Sequence, residues 1–320
     1  MVKPKSIQLA FASDNVYAMP LTVTIYSALE HLDRDIGVEI YIIDGGFRQD
    51  SREKLLKSIS ILSFIHEPKV HFLKPPSDIF EEICSQSHSP YPPSAYYRLF
   101  IPDLVPESVE RIIYLDSDVL VKADLAELAS IDFDDHAMLA VQDFGHLYVQ
   151  QAKHLSMLDF AALKIDPGHK YMNTGMLVLN LKKWRSEKID AKMIDFLTQN
   201  PELFYPDQDA LNIVLAGQWK EIDPRWNQTH IVYRWPSWQD SPFDEKLYRD
   251  LVENPFITHF TGRPKPWMPN STHPQTDDYL ECLNKTVWAD WMKNPLNRLD
   301  DLWQRGLRKI RRGVSNLGIA

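Results

Sequence analysis

The chain has 320 residues, 44% of them hydrophobic and 25% charged, an ordinary globular composition with room for a large core. A formal net charge of -9 argues against general nucleic-acid binding, where a basic footprint is expected. The two cysteines, Cys84 and Cys282, lie far apart and outside any metal-ligand spacing, which argues against a disulfide framework and fits a reducing compartment.

The first residues, Met1-Val2-Lys3-Pro4-Lys5, are basic but lead into no apolar segment of the signal-peptide kind, and no run is long enough to span a bilayer. A cytoplasmic location is expected. Three sequons, at Asn227, Asn270 and Asn284, would matter only in a secreted chain and are read as chance. A first strand, Ile7 to Ala12, breaks at Ser13-Asp14-Asn15. Pro20 then suits a first helical turn, with Leu21, Ile25, Ala28 and Leu29 on one face as far as His31. A second strand, Val38 to Ile43, stops at Asp44-Gly45-Gly46; a polar-faced helix follows from Ser51 to Leu62, and Val70 to Leu73 is a short third strand. This alternation predicts an α/β fold, a mixed and mostly parallel sheet flanked by helices.

The first strand-to-helix turn lacks G-x-G-x-x-G, and the chain holds no P-loop, so neither an NAD enzyme nor a P-loop kinase is expected. A turn carrying Asp14 and Tyr17 suits a base instead, with the ring as a stacking surface and the carboxylate accepting from an N–H. Further on, Pro90 to Pro93 leads into Ser94-Ala95-Tyr96-Tyr97-Arg98-Leu99-Phe100, a helix start with Ser94 as its cap. Arg98 is either an exposed helix arginine or a clamp for phosphate or carboxylate.

The densest signal is Arg111-Ile112-Ile113-Tyr114-Leu115-Asp116-Ser117-Asp118-Val119-Leu120-Val121. As one extended strand it puts Asp116 and Asp118 on the same face. Two buried carboxylates side by side need a positive charge between them, and a divalent metal carrying a phosphate ligand meets that need. The alternative is a strand that has ended, leaving both acids solvated in the turn.

Met138 to Phe144 is another strand with an acid, Asp143, at its end, and ligands in open α/β sheets gather at the carboxyl ends of strands. Asp14, Asp44, Asp116, Asp118 and Asp143 all fall at or near such ends, which suggests a shared site. Tyr171-Met172-Asn173-Thr174-Gly175 introduces a buried strand, Met176 to Leu181, and a helix follows. Tyr205-Pro206-Asp207-Gln208-Asp209 reads as a helix start whose acids favour the positive end of the dipole, as caps or as something more. Phe256 to Trp267 joins a short strand to a stiff loop that brings His259, Gly262 and Lys265, the last between two prolines, close together. An imidazole, a backbone donor and a cation so grouped suit a metal-bound pyrophosphate.

With these segments in order, from Phe11-Ala12-Ser13-Asp14 to His259-Phe260-Thr261-Gly262-Arg263-Pro264-Lys265-Pro266-Trp267, the chain resembles the retaining glycosyltransferases of family 8. The resemblance covers roughly Ile7 to Trp267 and implies a GT-A fold that binds a UDP-sugar and Mn²⁺, with Mg²⁺ compatible by chemistry. It implies Asp116, Asp118 and His259 as metal ligands. Ala12, Asp14 and Tyr17 match the uridine pocket, with Val16 departing from a usually polar position. Ser117, Gly262 and Lys265 fall among the other donor contacts. Arg98, Asn173, Asp207 and Gln208 surround the donor sugar, and Asp143 lies where sugar and acceptor meet. The implied reaction moves glucose or galactose to a hydroxyl of a glycan or lipid-linked saccharide.

The expected division is a catalytic domain over 1–275 and a helical extension over 276–320. From Leu299 the extension reads as an amphipathic helix, with Leu302, Trp303, Leu307 and Ile310 on one side and Arg305, Arg308, Lys309 and Arg312 on the other. It suits either an anionic membrane surface, making the protein peripheral, or packing on its own domain. Two other classes fit parts of the pattern: a phosphatase of the haloacid dehalogenase type, with Asp116 as nucleophile and Mg²⁺ bound, and a non-catalytic sugar-nucleotide module.

Overall fold

The computed structural model describes residues 4–76, 93–268 and 270–293. Ten strands are formed: β1 (Ser6–Ser13), β2 (Gly37–Asp44), β3 (Lys69–Leu73), β4 (Arg111–Leu115), β5 (Val119–Val121), β6 (Met138–Gln142), β7 (Met172–Asn180), β8 (Trp219–Glu221), β9 (Gln228–Thr229) and β10 (Ile257–His259). Seven of them make a sheet in the order β3-β2-β1-β4-β7-β6-β8, in which β7 alone runs antiparallel to its neighbours. The other three make a small sheet, β5-β10-β9. The expected mixed, mostly parallel sheet is present.

Among the described residues the α-helices of seven or more residues are α1 (Ala18–Glu30), α2 (Gln49–Ser60), α3 (Leu181–Glu187), α4 (Ile189–Gln199), α5 (Pro206–Val214), α6 (Glu245–Glu253) and α7 (Thr276–Asn284). They cover both faces of the large sheet, so its strands are apolar on both sides. Leu9, Phe11, Ile40, Ile42, Ile113 and Leu115 face one core, with α1 and α2. Ala10, Ala12, Tyr41, Ile43, Ile112 and Tyr114 face the other, with α3, α4 and α5. That period-two division explains why the strands read as near-continuous hydrophobic runs.

Two expectations are corrected. Arg111 to Val121 is two strands: β4 ends at Leu115 in the large sheet, the chain turns through Asp116-Ser117-Asp118, and β5 enters the small sheet. A continuous strand would have left two carboxylates inside a ladder with apolar neighbours; the turn lets both reach a cleft. The first helix, read as amphipathic, is buried at every residue from Ala18 to Leu29. Its outer face is covered by α7 and the segment after it, where Cys282 Sγ approaches Val23 O at 3.8 Å and Trp288 Nε1 donates to Thr22 Oγ1 at 3.1 Å.

The segment Pro93–Phe100 is a 3-10 helix that begins one residue before Ser94. Cys84 and the amphipathic stretch from Leu299 lie outside the described residues. Among the described residues no helix is long and apolar enough to cross a membrane.

Candidate active site

The carboxyl end of β4, the start of β5 and the end of β10 meet at one place, where Asp116, Asp118 and His259 offer ligand atoms within 4.8 Å of one another. The small sheet makes this possible: β10 pairs with β5 so that His259 lies opposite Val119. His259 Nε2 is 3.4 Å from Asp118 Oδ1 and 3.8 Å from Asp116 Oδ2. Its other nitrogen, Nδ1, is 3.0 Å from Asn227 Oδ1, an atom that can only accept. The proton therefore sits on Nδ1, and the Nε2 lone pair faces the two carboxylates, as a metal ligand requires.

The backbone makes room for that ring. A Cβ on Gly175 would fall 2.0 Å from His259 Cε1, so only glycine is compatible with the ring where it stands. Gly175 also accepts the Asp116 N–H through its carbonyl at 2.8 Å, which ties the acidic turn to β7. Two half-buried carboxylates and one buried imidazole, already oriented, fit a divalent cation.

Two buried cations hold the acids in place. Arg98 donates from Nη2 to Asp116 Oδ1 at 2.8 Å and from Nη1 to Thr174 O at 2.6 Å; its Nε lies 3.1 Å from Asp207 Oδ2. Its guanidinium stacks over Tyr114, whose hydroxyl donates to Asp116 Oδ1 at 2.8 Å. The exposed-helix reading of Arg98 is thus overturned. Lys265 donates from Nζ to Asp118 Oδ2 and to Phe260 O, each at 2.5 Å. Burial works against the Asp118 charge, yet the Lys265 ammonium holds that carboxyl well below the usual carboxylate range. Asp207 goes the other way: burial pushes it up by more than Arg98, shared with Asp116, pulls it down, and the neighbouring Asp116 charge adds to the rise.

The cleft has two recesses over this common floor. One, of about 440 Å³, is bordered by Ala12, Ser13 and Tyr17 from the end of β1 and the turn after it, by Ser94 of the 3-10 helix and by Ser117 of the acidic turn. Asp14 does not border it; its Oδ1 accepts from the Val16 and Tyr17 N–H groups at 2.9 and 3.3 Å and so fixes the turn that presents Tyr17. Tyr17 meets Trp267 edge to face at 5.9 Å. Gly262, with φ of +75°, and Lys265 border both recesses.

The other recess, of about 630 Å³, is bordered by Asp143, His146, Asn173, Asp207, Gln208 and His230 among others. Asp143 accepts from Asn173 Nδ2 at 2.9 Å and from the N–H groups of Gly145 and His146. Despite its burial, the His146 side chain 3.7 Å away and these bonds lower its pKa, and the carboxylate in turn raises that of His146. Gln208 Oε1 accepts from Thr174 N at 3.2 Å, and its Nε2 donates to Tyr171 OH at 3.2 Å. Asp44 is elsewhere: it caps Gly46 and Phe47 and pairs with Arg52, so the five strand-end acids do not form one site.

Two further side chains support the site. Asn227 is fully buried and holds both His259 and, at 2.9 Å, Asn173; its sequon is structural. Asp209, fully buried, accepts from Tyr171 OH at 2.6 Å and lies 2.8 Å from His154 Nε2, which secures the hydroxyl under Gln208.

Known proteins share this arrangement of the chain. General stress protein A of Bacillus subtilis is 33% identical over 90% of this chain and 96% of its own length. A lipopolysaccharide 1,2-glucosyltransferase of Escherichia coli is 24% identical over 89% and 79%. Among solved structures, the galactosyltransferase LgtC, crystallised with donor and acceptor sugar analogues, superposes with a TM-score of 0.72 at 24% identity, covering 88% of this chain and 96% of that one. The fold is therefore of the GT-A kind. A family description, Glycosyl transferase family 8, matches residues 8–271. Such membership implies a nucleotide-sugar donor, a saccharide acceptor and a divalent metal, and it displaces the phosphatase and non-catalytic alternatives. The chain belongs to glycosyltransferase family 8.

Proposed function

We propose that the protein is a retaining hexosyltransferase that moves glucose or galactose from a UDP-sugar to a hydroxyl of a glycan or lipid-linked saccharide. The observation that carries this reading is the Asp116, Asp118 and His259 trio at the floor shared by two recesses. Those three residues would hold the metal, Mn²⁺ foremost. Bound there, a divalent ion supplies Lewis-acid stabilisation of the leaving diphosphate.

The side chains have separable tasks in this scheme. Tyr17, with Ala12 and the turn set by Asp14, takes the base, and Ser117 and Gly262 line the diphosphate path. Lys265 is a fixed cation for charge developing on the leaving group. Arg98, Asn173 and Asp207 orient the donor sugar, and Asp143 stands toward the acceptor. Retention in glycosidases uses a carboxylate nucleophile, yet Gln208 is an amide and a poor one. A front-face course follows: a leaving-phosphate oxygen takes the proton of the acceptor hydroxyl as the new bond forms, while the Gln208 carbonyl supports the cationic sugar. Isolation of a glycosyl-enzyme on Gln208 or a neighbouring acid would refute that course.

A glycolipid acceptor is supported by the lipopolysaccharide glucosyltransferase relative and by the basic amphipathic stretch from Leu299. In this reading residues 1–275 are the catalytic unit and 276–320 an extension, and the protein works in the cytoplasm beside the membrane. The deciding experiment is UDP release from a panel of UDP-sugars with Mn²⁺ or Mg²⁺, run beside Asp116→Ala. Slow, metal-dependent release from one UDP-hexose, absent in the variant, is expected. Hydrolysis of a phosphomonoester with no turnover of any UDP-sugar would overturn the proposal.

A further inference from the structure

One cation in the cleft is held in place without being neutralised. Arg234 closes the turn His230–Arg234 after β9 and borders the larger recess. Its Nη2 donates to His230 Nε2 at 3.0 Å, and His230 Nδ1 donates to Thr261 Oγ1 at 2.5 Å. Burial, with Arg234 beside it, pushes the His230 imidazole down, in keeping with a ring that accepts at Nε2. Among the described residues Arg234 has no carboxylate partner. The acids of the same cleft are already engaged: Asp116 and Asp207 with Arg98, Asp118 with Lys265, Asp143 with Asn173 and His146.

Thr229, the residue before this turn, points independently to a ligand. It is 2% exposed and borders the same recess, yet its Oγ1 has no hydrogen-bond partner. A buried hydroxyl left unmatched is costly unless something arrives to meet it. Arg263, exposed, borders the recess as well.

We propose that this end of the cleft is an acceptor subsite that recognises an oxyanion on the incoming saccharide, a phosphate or a carboxylate. The proposal rests on the transferase reading above. A carboxylate partner would have spent the Arg234 charge internally; a neutral histidine fixes the guanidinium and leaves its charge whole, and the guanidinium fork matches two oxyanion oxygens. Thr229 Oγ1 leaves an unmatched polar atom in the wall of the same recess.

The test is calorimetric titration of the full chain with inorganic phosphate, glucose 6-phosphate, glucuronate and glucose, with saturating UDP and Mn²⁺ and again without them. At least one of the sugar oxyanions is expected to bind about tenfold or more tighter than glucose, the margin of a charge-assisted over a neutral contact. Preference for glucose 6-phosphate marks a phosphate-bearing acceptor, and preference for glucuronate a uronate. Arg234→Gln should bring the ratio to glucose near one, and Arg234→Lys should keep part of it. Arg249→Gln, which removes an exposed arginine paired with Glu245 on α6, should leave the ratio intact. Equal affinity for glucose, no binding of any oxyanion, or a preference that survives Arg234→Gln overturns the proposal. So does displacement of the oxyanions by UDP, which would put them at the donor diphosphate. Failure of UDP itself to bind would count against the transferase reading, and the titrations without UDP would still decide the subsite.

Discussion

The imidazole of His259 has its tautomer chosen for it. Asn227 supplies the accepting oxygen, and replacing it with alanine frees the ring to flip or to carry its proton on Nε2. Loss of such a partner typically weakens metal binding about 10–100-fold. We expect Asn227→Ala to shift the Mn²⁺ dependence of UDP release by that much while saturating metal restores most activity; a loss that excess metal does not repair would show that Asn227 acts through folding alone. His146 gives a pH signature. Its pKa is raised by Asp143, so the stabilisation it brings is fully present below its unfolded value near 6.5 and is lost as pH rises through the higher folded value. Partly exposed, it is worth at most about 1 kcal/mol. His146→Gln should therefore cost more stability at pH 5.5 than at pH 8.5, as read from urea unfolding at the two values. At this scale the sequence was legible where chemistry is stereotyped: the i, i+2 aspartates, the histidine and the lysine come together. Asn227 was not, because an asparagine inside a sequon carries no sign that it faces a histidine.

Helix α5 is fastened to β7 by Asn212 as well as by Gln208. Asn212 Oδ1 accepts the Met172 N–H at 2.6 Å, and its Nδ2 donates to Met172 O at 3.0 Å, so it behaves like one more residue of a ladder. Both bonds lie in the core that α5 shares with the sheet, far from water. Asn212→Ala would leave two buried backbone groups unmatched, at about 1–3 kcal/mol each. A drop of about 2–5 kcal/mol in unfolding free energy is expected, with slower UDP release because Gln208 rides on the same helix; a variant as stable as the parent would contradict this account. The alternation of strands and helices announced these elements, since each has its own apolar period. What periodicity could not reveal was the break between β4 and β5. Apolar runs on either side of Asp116-Ser117-Asp118 look like one strand, and only pairing with β10, more than a hundred residues later, separates them. The encirclement of α1 was hidden for the same reason, as its outer face is covered by residues from the far end of the described chain.

For the molecule as a whole, the sheet order puts the carboxyl ends of β1 and β4 side by side and sets the small sheet beside them. The acids of the site do not come from one rigid layer. Asp116 follows a strand of the large sheet, whereas Asp118 leads into the small one and His259 ends a strand of it, and the strands of that small sheet are two or three residues long. So short a sheet has few ladder bonds of its own and is expected to open locally at lower cost than the large one. An ion shared by all three ligands would then act as a clasp across a seam, stabilising the closed arrangement by mass action. Adding Mn²⁺ should slow amide hydrogen exchange in β5, β9 and β10 far more than in β1 or β2, and Asp118→Ala should abolish the difference; uniform slowing across both sheets would show that the seam does not open by itself. If the clasp holds, the protein's resistance to protease will vary with metal supply, and its lifetime will be set by the same three side chains that we assign to the metal.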